Sequence, residues 1–245
     1  MPDRAFLSNK QMDPRDRLIF ALDVPTMEEA LQWVDRLGDA VTFYKIGLEF
    51  CMSGRYFDLL EELQRRGKKV FADLKFYDVP ATVRGAVANL SRYGAYCCTL
   101  HGVTSIYTPA VAVKGAMKLL AITVLTSFDS NDLAELGCTT MSPEELVSLR
   151  ARKAIAAGID GLICSGQEAR RLRTELGDGP LIITPGIRSD SEKGGDDQKR
   201  TMSVQDAFLA GADHIVVGRP IRQASDPRAA AEAMQARIVD VFAQR

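Results

Sequence analysis

The chain has 245 residues, of which 46% are hydrophobic and 26% are charged, and its formal net charge is −1. This length and composition suit one large domain or two small ones with a sizeable core. The near-neutral net charge does not indicate a basic surface that would bind a nucleic acid or an anionic membrane. Five cysteines without a paired spacing favour a reduced, cytoplasmic protein, and no apolar run is long enough to cross a membrane.

Short β-branched or aromatic runs alternate with segments of helical periodicity along the chain. The runs predict strands at residues 17–22, 41–48, 69–74, 95–100, 119–125, 161–164, 181–184 and 214–217. The periodic segments predict helices at residues 27–37, 56–66, 82–93, 107–117, 143–157, 167–176, 203–210 and 226–245.

Strands that alternate with helices predict an α/β fold with a parallel sheet. Eight units of about 31 residues favour a single-domain (β/α)8 TIM barrel. An open doubly wound sheet is the alternative, but the turn after the first strand, Leu22-Asp23-Val24-Pro25, has no GxGxxG pattern. We expect residues 1–15 to form an N-terminal extension and residues 16–245 the catalytic barrel.

Charged residues stand at the carboxyl ends of the first three predicted strands, where a barrel builds its active site. Asp23 ends the first strand, and Lys45 lies in the second. Asp73 and Lys75 share one face of the third strand because side chains alternate with period two, and Asp78 follows just beyond. Buried charges are costly unless they are paired. We therefore expect a charge-paired pocket, with an ordinary surface ion pair as the alternative.

The last two predicted strands end in residues that suit a phosphate group. The seventh runs into Pro185-Gly186-Ile187-Arg188 and the eighth into Gly218-Arg219. The glycines would allow close approach of the backbone, and each arginine could hold phosphate oxygens with its planar fork. For either arginine alone, a surface salt bridge is the alternative. The polar segment 188–200 follows the seventh strand and is either a lid or a surface loop.

Six stretches form an ordered set along the chain: Ala21-Leu22-Asp23, Tyr44-Lys45-Ile46-Gly47, the ten residues from Asp73 to Thr82, Pro185-Gly186-Ile187-Arg188, Asp197-Gln198-Lys199-Arg200 and Val217-Gly218-Arg219-Pro220-Ile221. Together they resemble the bacterial type of the orotidine 5'-phosphate decarboxylase family, over residues 16–227. The departures are Ala81, where the family usually has Asn, and Val79, where it usually has Ile. Neither position is charged.

The resemblance implies conversion of orotidine 5'-monophosphate (OMP) to UMP and CO2, the last step of pyrimidine synthesis, without a cofactor or a metal. Lys75 would donate a proton to C6 of the ring, and Asp73 would lie against the departing carboxylate. Lys45 and Asp78 would complete the charge network. The resemblance also implies a homodimer with shared active sites, in which Asp78 and Thr82 reach into the partner's site.

The resemblance assigns the remaining substrate contacts as well. Asp23 would bind the ribose hydroxyls, and Thr126 or Ser127 would contact the pyrimidine, with Pro185 also in the substrate site. Four residues would hold the phosphate, Gln198 from the lid segment: Arg188, Gln198, Gly218 and Arg219.

Two other functions fit parts of the pattern. A magnesium-dependent decarboxylase or lyase of sugar phosphates shares the DxKxxD motif and the barrel, but those relatives have an acidic residue at the position of Lys45, where an ammonium group would repel the metal. A non-catalytic sensor of a phosphorylated ligand would be expected to have lost one of the charged residues of the network. All four are present: Lys45, Asp73, Lys75 and Asp78.

Overall fold

Eight parallel strands close into a barrel in the computed structural model, which describes residues 5–187 and 202–243. Each strand pairs with the next in the chain, and β8 pairs with β1. The single-domain TIM barrel predicted from the sequence is therefore confirmed. The strands are Leu18–Ala21 (β1), Phe43–Gly47 (β2), Lys69–Phe76 (β3), Cys97–Leu100 (β4), Lys118–Ile122 (β5), Gly161–Ile163 (β6), Leu181–Thr184 (β7) and His214–Val217 (β8).

Helices connect the strands on the outside of the barrel. Over the described part of the chain they are Met27–Leu37 (α1), Leu48–Cys51 (α2), Tyr56–Arg65 (α3), Pro80–Arg92 (α4), Thr104–Val111 (α5), Ser130–Glu135 (α6), Pro143–Ala156 (α7), Gly166–Leu176 (α8), Val204–Leu209 (α9), Arg219–Arg222 (α10) and Pro227–Ala243 (α11), with 3-10 turns at Pro14–Arg17 and Gly38–Ala40. None of the helices in this part is long and apolar enough to cross a membrane.

The helix predicted at residues 107–117 was placed too late in the chain. The observed helix α5 begins at Thr104 and ends at Val111, and Gly115 then turns the chain toward β5 with a φ of 57°. The sequence prediction extended the helix through this glycine, whose left-handed conformation ends the helical path. The prediction also missed α2, α6 and α10, which are too short to show a period of 3.6 residues.

The strands divide the core into two layers by their alternation. Cys97 packs in the inner layer of the barrel and Cys98 in the outer layer beneath the helices. The inner layer is formed by Ile19, Ala21, Phe43, Phe71, Cys97, Leu120, Leu181, Ile183 and Val216. For each of the first four strands, the residue two positions after the last inner-layer residue is polar. These polar residues are Asp23, Lys45, Asp73 and Thr99. The same alternation that fills the barrel therefore aims these polar side chains at its carboxyl end.

The N-terminal segment packs against the opposite end of the barrel. Leu7 and Ser8 are buried, and Lys10 Nζ lies 3.2 Å from the carboxylate of Asp213, directly before β8. Asp213 is also paired with the buried guanidinium of Arg173 and accepts a 2.8 Å hydrogen bond from the backbone of Ile182. Residues 7–10 are therefore part of the folded body.

Candidate active site

A cavity of about 240 Å³ opens at the carboxyl ends of the strands. The sequence-predicted residues that line it are Asp23, Lys45, Asp73, Lys75, Thr126, Pro185, Gly218 and Arg219. Apolar side chains that the sequence did not single out form much of the remaining wall, among them Phe71, Ile122, Val124, Ile163 and Val216. The cavity thus combines an apolar floor with a few convergent charged groups, which is typical of a small-molecule site.

Four charged side chains form an alternating row in this cavity. Lys45 Nζ lies 2.8 Å from Asp23 Oδ1 and 3.6 Å from Asp73 Oδ2. Lys75 Nζ lies 2.8 Å from the same Asp73 oxygen. The order is therefore carboxylate, ammonium, carboxylate, ammonium, and each inner member contacts two groups of opposite sign. The row satisfies the requirement that charges in a partly dry site be paired.

The row holds its two inner members in their charged forms. Burial disfavours the Lys45 ammonium, but the carboxylates of Asp73 and Asp23 outweigh this and raise the pKa of Lys45. Burial likewise disfavours the Asp73 carboxylate, but the ammonium groups of Lys45 and Lys75 outweigh it and lower the pKa of Asp73. Both groups therefore stay ionised at neutral pH, with a fixed carboxylate between two ammonium groups.

The backbone at Lys75 departs from regular strand geometry. Asp73 and Lys75 share the inner face as predicted, but Lys75 has a φ of 51°, the one positive φ at a non-glycine residue in the described ranges. The pairing of β3 with β4 also shifts here: Ala72 pairs with Cys98, and the next pair is Phe76 with Leu100. Three residues of β3 thus lie opposite one residue of β4. Strained conformations of this kind concentrate at functional sites.

That single residue of β4 is Thr99, which the sequence analysis did not single out. Its Oγ1 accepts a 2.9 Å hydrogen bond from the Lys75 backbone N–H and donates one of 2.9 Å to Asp73 Oδ1. The side chain is completely buried. The sequence did contain a signal for Thr99. It lies two residues after Cys97, so in a strand both side chains point to the same face, here toward the barrel interior beside β3.

The ends of strands β7 and β8 carry the predicted phosphate residues that the structure describes. Gly186 has a φ of 80°, which favours glycine, and a Cβ on Gly218 would lie 3.3 Å from Ala21 Cβ. Arg219 lines the cavity, as does Arg222, which the sequence analysis missed and which donates a hydrogen bond to the backbone carbonyl of Asp23. The predicted ligands Arg188 and Gln198 lie outside the described residues.

Three predicted residues do not line the cavity of their own chain. Asp78 and Thr82 are exposed, and Asp78 Oδ1 accepts a 2.6 Å hydrogen bond from the adjacent backbone N–H of Val79. Of the two residues proposed to contact a pyrimidine, Thr126 lines the cavity and Ser127 does not. A single chain therefore brings together Lys45, Asp73 and Lys75 but not the fourth expected member of the network.

The site and the barrel together define a protein class. The chain belongs to the Orotidine 5'-phosphate decarboxylase / HUMPS family, whose sequence profile matches residues 16–234.

Within that family, the chain is similar to curated proteins named orotidine 5'-phosphate decarboxylase. An orotidine 5'-phosphate decarboxylase of Methylococcus capsulatus is 52% identical over 238 residues, which cover 97% of this chain and 98% of the relative. One of Stenotrophomonas maltophilia is 53% identical over 232 residues, which cover 94% and 95%. The crystal structure of orotidine 5'-phosphate decarboxylase from Lactobacillus acidophilus superimposes with a TM-score of 0.79 at 33% identity, covering 90% of this chain and 98% of that one.

Proposed function

We propose that this chain decarboxylates OMP to UMP and CO2, the last step of pyrimidine synthesis. The observation that carries the proposal is the alternating row of Asp23, Lys45, Asp73 and Lys75 at the mouth of the barrel. Family membership and the names of the curated relatives support the same reaction.

The row suits a decarboxylation that lacks an electron sink. The bond between C6 of the pyrimidine and the carboxylate carbon breaks, CO2 leaves, and the electron pair remains on C6. A fixed ammonium beside C6 stabilises that developing charge, and Lys75 then donates its proton to C6 to give UMP. The neutral amine recovers a proton from solvent.

Asp73 has a different role in this proposal. Its carboxylate is held ionised by Lys45 and Lys75, and it faces the substrate carboxylate. Repulsion between the two negative groups is relieved when CO2 departs, although binding energy from elsewhere must first bring the substrate into place.

The phosphate end supplies that binding energy. Gly218 and Arg219 line the cavity after β8, and we assign phosphate binding to them together with Arg188 and Gln198. Asp23 binds the ribose hydroxyls, and Thr126 contacts the pyrimidine in preference to Ser127 because it lines the cavity. Contacts remote from the reacting carbon can be used to close and assemble the site.

The exposed position of Asp78 supports a site shared between two subunits. Asp78 and Thr82 follow β3, are exposed, and do not line the cavity of their own chain. We propose that the protein is a homodimer in which these two residues complete the partner's site. The charge network of Lys45, Asp73 and Lys75 would then gain its fourth member from the other subunit.

An apolar surface beside Asp78 supports the same assembly. Large hydrophobic side chains are exposed after three consecutive strands: Leu48 and Met52 after β2, Tyr77 and Val79 after β3, and Val103 after β4. Their exposed fractions run from 54% to 78%. Apolar side chains grouped in this way are typical of a protein interface.

The position of Lys45 argues against the magnesium-dependent alternative. Its ammonium lies between the carboxylates of Asp23 and Asp73, where a divalent cation would otherwise find oxygen ligands. The positive charge of the Lys45 ammonium would repel a divalent cation bound to the same carboxylates. We therefore propose that the reaction uses no metal or cofactor. We place it in the cytoplasm, since the cysteines are free thiols.

A paired-substrate assay tests the proposal. Purified protein is incubated with OMP, and separately with 3-keto-gulonate 6-phosphate and with a hexulose 6-phosphate, each with EDTA and with Mg²⁺. We expect the absorbance of OMP to change to that of UMP at the same rate in EDTA and in Mg²⁺. Turnover of a sugar phosphate that depends on Mg²⁺, without turnover of OMP, would instead identify the alternative enzyme. Binding of OMP without turnover of any substrate would identify a sensor.

A further inference from the structure

The hydroxyl of Thr99 replaces a backbone partner at the point where strands β3 and β4 lose their register. Between the pairs Ala72–Cys98 and Phe76–Leu100, β3 has three residues and β4 has only Thr99. The Lys75 backbone N–H therefore has no regular strand partner, and it donates instead to Thr99 Oγ1 at 2.9 Å. A buried N–H must find an acceptor, so this side chain supports the irregular path.

The same hydroxyl fixes the orientation of Asp73. Because Thr99 Oγ1 accepts from Lys75 N–H, its own proton is available for donation, and it is donated to Asp73 Oδ1 at 2.9 Å. The other carboxylate oxygen, Asp73 Oδ2, is left to receive Lys75 Nζ at 2.8 Å and Lys45 Nζ at 3.6 Å. One hydroxyl thus sets which oxygen faces the two ammonium groups.

We propose that Thr99 is a positioning residue for the reaction, holding Lys75 in its left-handed backbone conformation and Asp73 in the rotation that pairs with it. This inference rests on the proposed decarboxylase function. An L-residue rarely adopts a φ near 51° without local support. Without the hydroxyl, β3 can relax toward regular strand geometry, and Lys75 Nζ then moves away from the substrate carbon.

Two matched pairs of variants isolate the hydroxyl from the packing of the side chain. Thr99→Val keeps the shape and removes the hydroxyl. Thr99→Ser and Thr99→Ala both lack the methyl group and differ from each other only in the hydroxyl. Thr184→Val is the control, since Thr184 is equally buried in β7 and its hydroxyl has no hydrogen-bond partner among the described residues.

We expect Thr99→Val to lower kcat on OMP by about 100-fold, the loss that a displacement of about 1 Å can cause, with a much smaller change in the affinity for UMP. Thr99→Ser should recover most of kcat, and Thr99→Ala should behave like Thr99→Val. Thr184→Val should match the wild type. If Thr99→Val fails to fold by circular dichroism, the Ser and Ala pair gives the same comparison.

The acid limb of the pH–rate profile provides a second readout, measured only at pH values where circular dichroism shows each variant to be folded, so that loss of stability does not move it. Asp73 is faced by Lys45, Lys75 and Thr99. Thr99→Val removes the hydrogen bond from Thr99 and, as Lys75 moves, weakens the ion pair with Lys75. The limb that reports Asp73 should therefore move to higher pH in Thr99→Val and return in Thr99→Ser. An unchanged kcat and an unchanged limb in Thr99→Val, with an active wild type, would refute the positioning role. An inactive wild type would refute the proposed function itself.

Discussion

Asp73 and Lys75 are joined by an ion pair of 2.8 Å, although they are only two residues apart and Lys75 has left the regular strand conformation. Adjacent inward positions of a strand point the same way, but regular geometry does not by itself bring their terminal groups together. The irregular backbone does so here, and the proposed mechanism needs both groups to reach one carbon atom.

Arg219→Ala should weaken binding of phosphorylated ligands. Arg219 lines the cavity, and a charge-assisted contact to phosphate is worth about 1.5–3 kcal/mol. We expect the Kd for UMP, measured by isothermal titration calorimetry, to rise by about one to two decades. Uridine, which lacks the phosphate, is the control. An equal loss of affinity for uridine would show that Arg219 does not contact the phosphate.

Inactive variants should complement each other if the sites are shared. Asp78→Asn and Lys75→Ala should each be nearly inactive. A mixed dimer has one site with both defects and one site with neither, if Asp78 acts in the partner's site. After statistical exchange of subunits, activity should return to about a quarter of the wild-type value.

Exchange itself must be shown, for example with subunits that carry different fluorescent labels. A mixture that exchanges its subunits and remains inactive would place Asp78 in the site of its own chain. A protein that stays monomeric at assay concentration would contradict the dimer altogether.

Acidification should destabilise the protein through His214. The ring is buried at the start of β8, and its Nδ1 lies 2.8 Å from the backbone carbonyl of Asp16, to which it donates. Burial lowers the pKa of His214 below its usual 6.5. The unfolded chain therefore takes up a proton near that pH while the native state does not, and the free energy of unfolding falls as the pH is lowered.

His214→Asn keeps an N–H donor but does not titrate. Its free energy of unfolding, measured by urea denaturation between pH 7 and pH 5, should depend less on pH than that of the wild type, by up to about 1.4 kcal/mol per pH unit. Burial lowers the pKa of His101 as well, so both proteins should retain some acid sensitivity. Equal slopes in the two proteins would show that His214 does not titrate on unfolding.

The sequence predicted the barrel because eight short apolar runs alternate with segments of helical period along the chain. The inner positions of β1 to β3 lead to Asp23, Lys45 and Asp73, so the same pattern predicted three members of the charged row. Lys75 was also predicted, but its left-handed backbone was not, because the strain depends on pairing with β4, which local sequence does not encode.

Contacts between distant elements were the least predictable part of the site. Arg222 lies on a helix of four residues and contacts the backbone of Asp23, 199 positions earlier. Thr99 is a single polar residue in an apolar strand, and only the register of two strands reveals its two hydrogen bonds. Such residues need the folded chain before their role can be inferred.

In the proposed mechanism, decarboxylation depends on Lys75, while phosphate contacts elsewhere hold the nucleotide. The most direct test is the turnover of OMP by wild type and Lys75→Ala in EDTA, with UMP affinity measured on the same preparations. We expect Lys75→Ala to lose more than about 99% of turnover, since a general acid contributes roughly 100-fold or more, and to keep most of its affinity for UMP. A folded Lys75→Ala variant that keeps more than about a hundredth of wild-type turnover would show that Lys75 is not the proton donor.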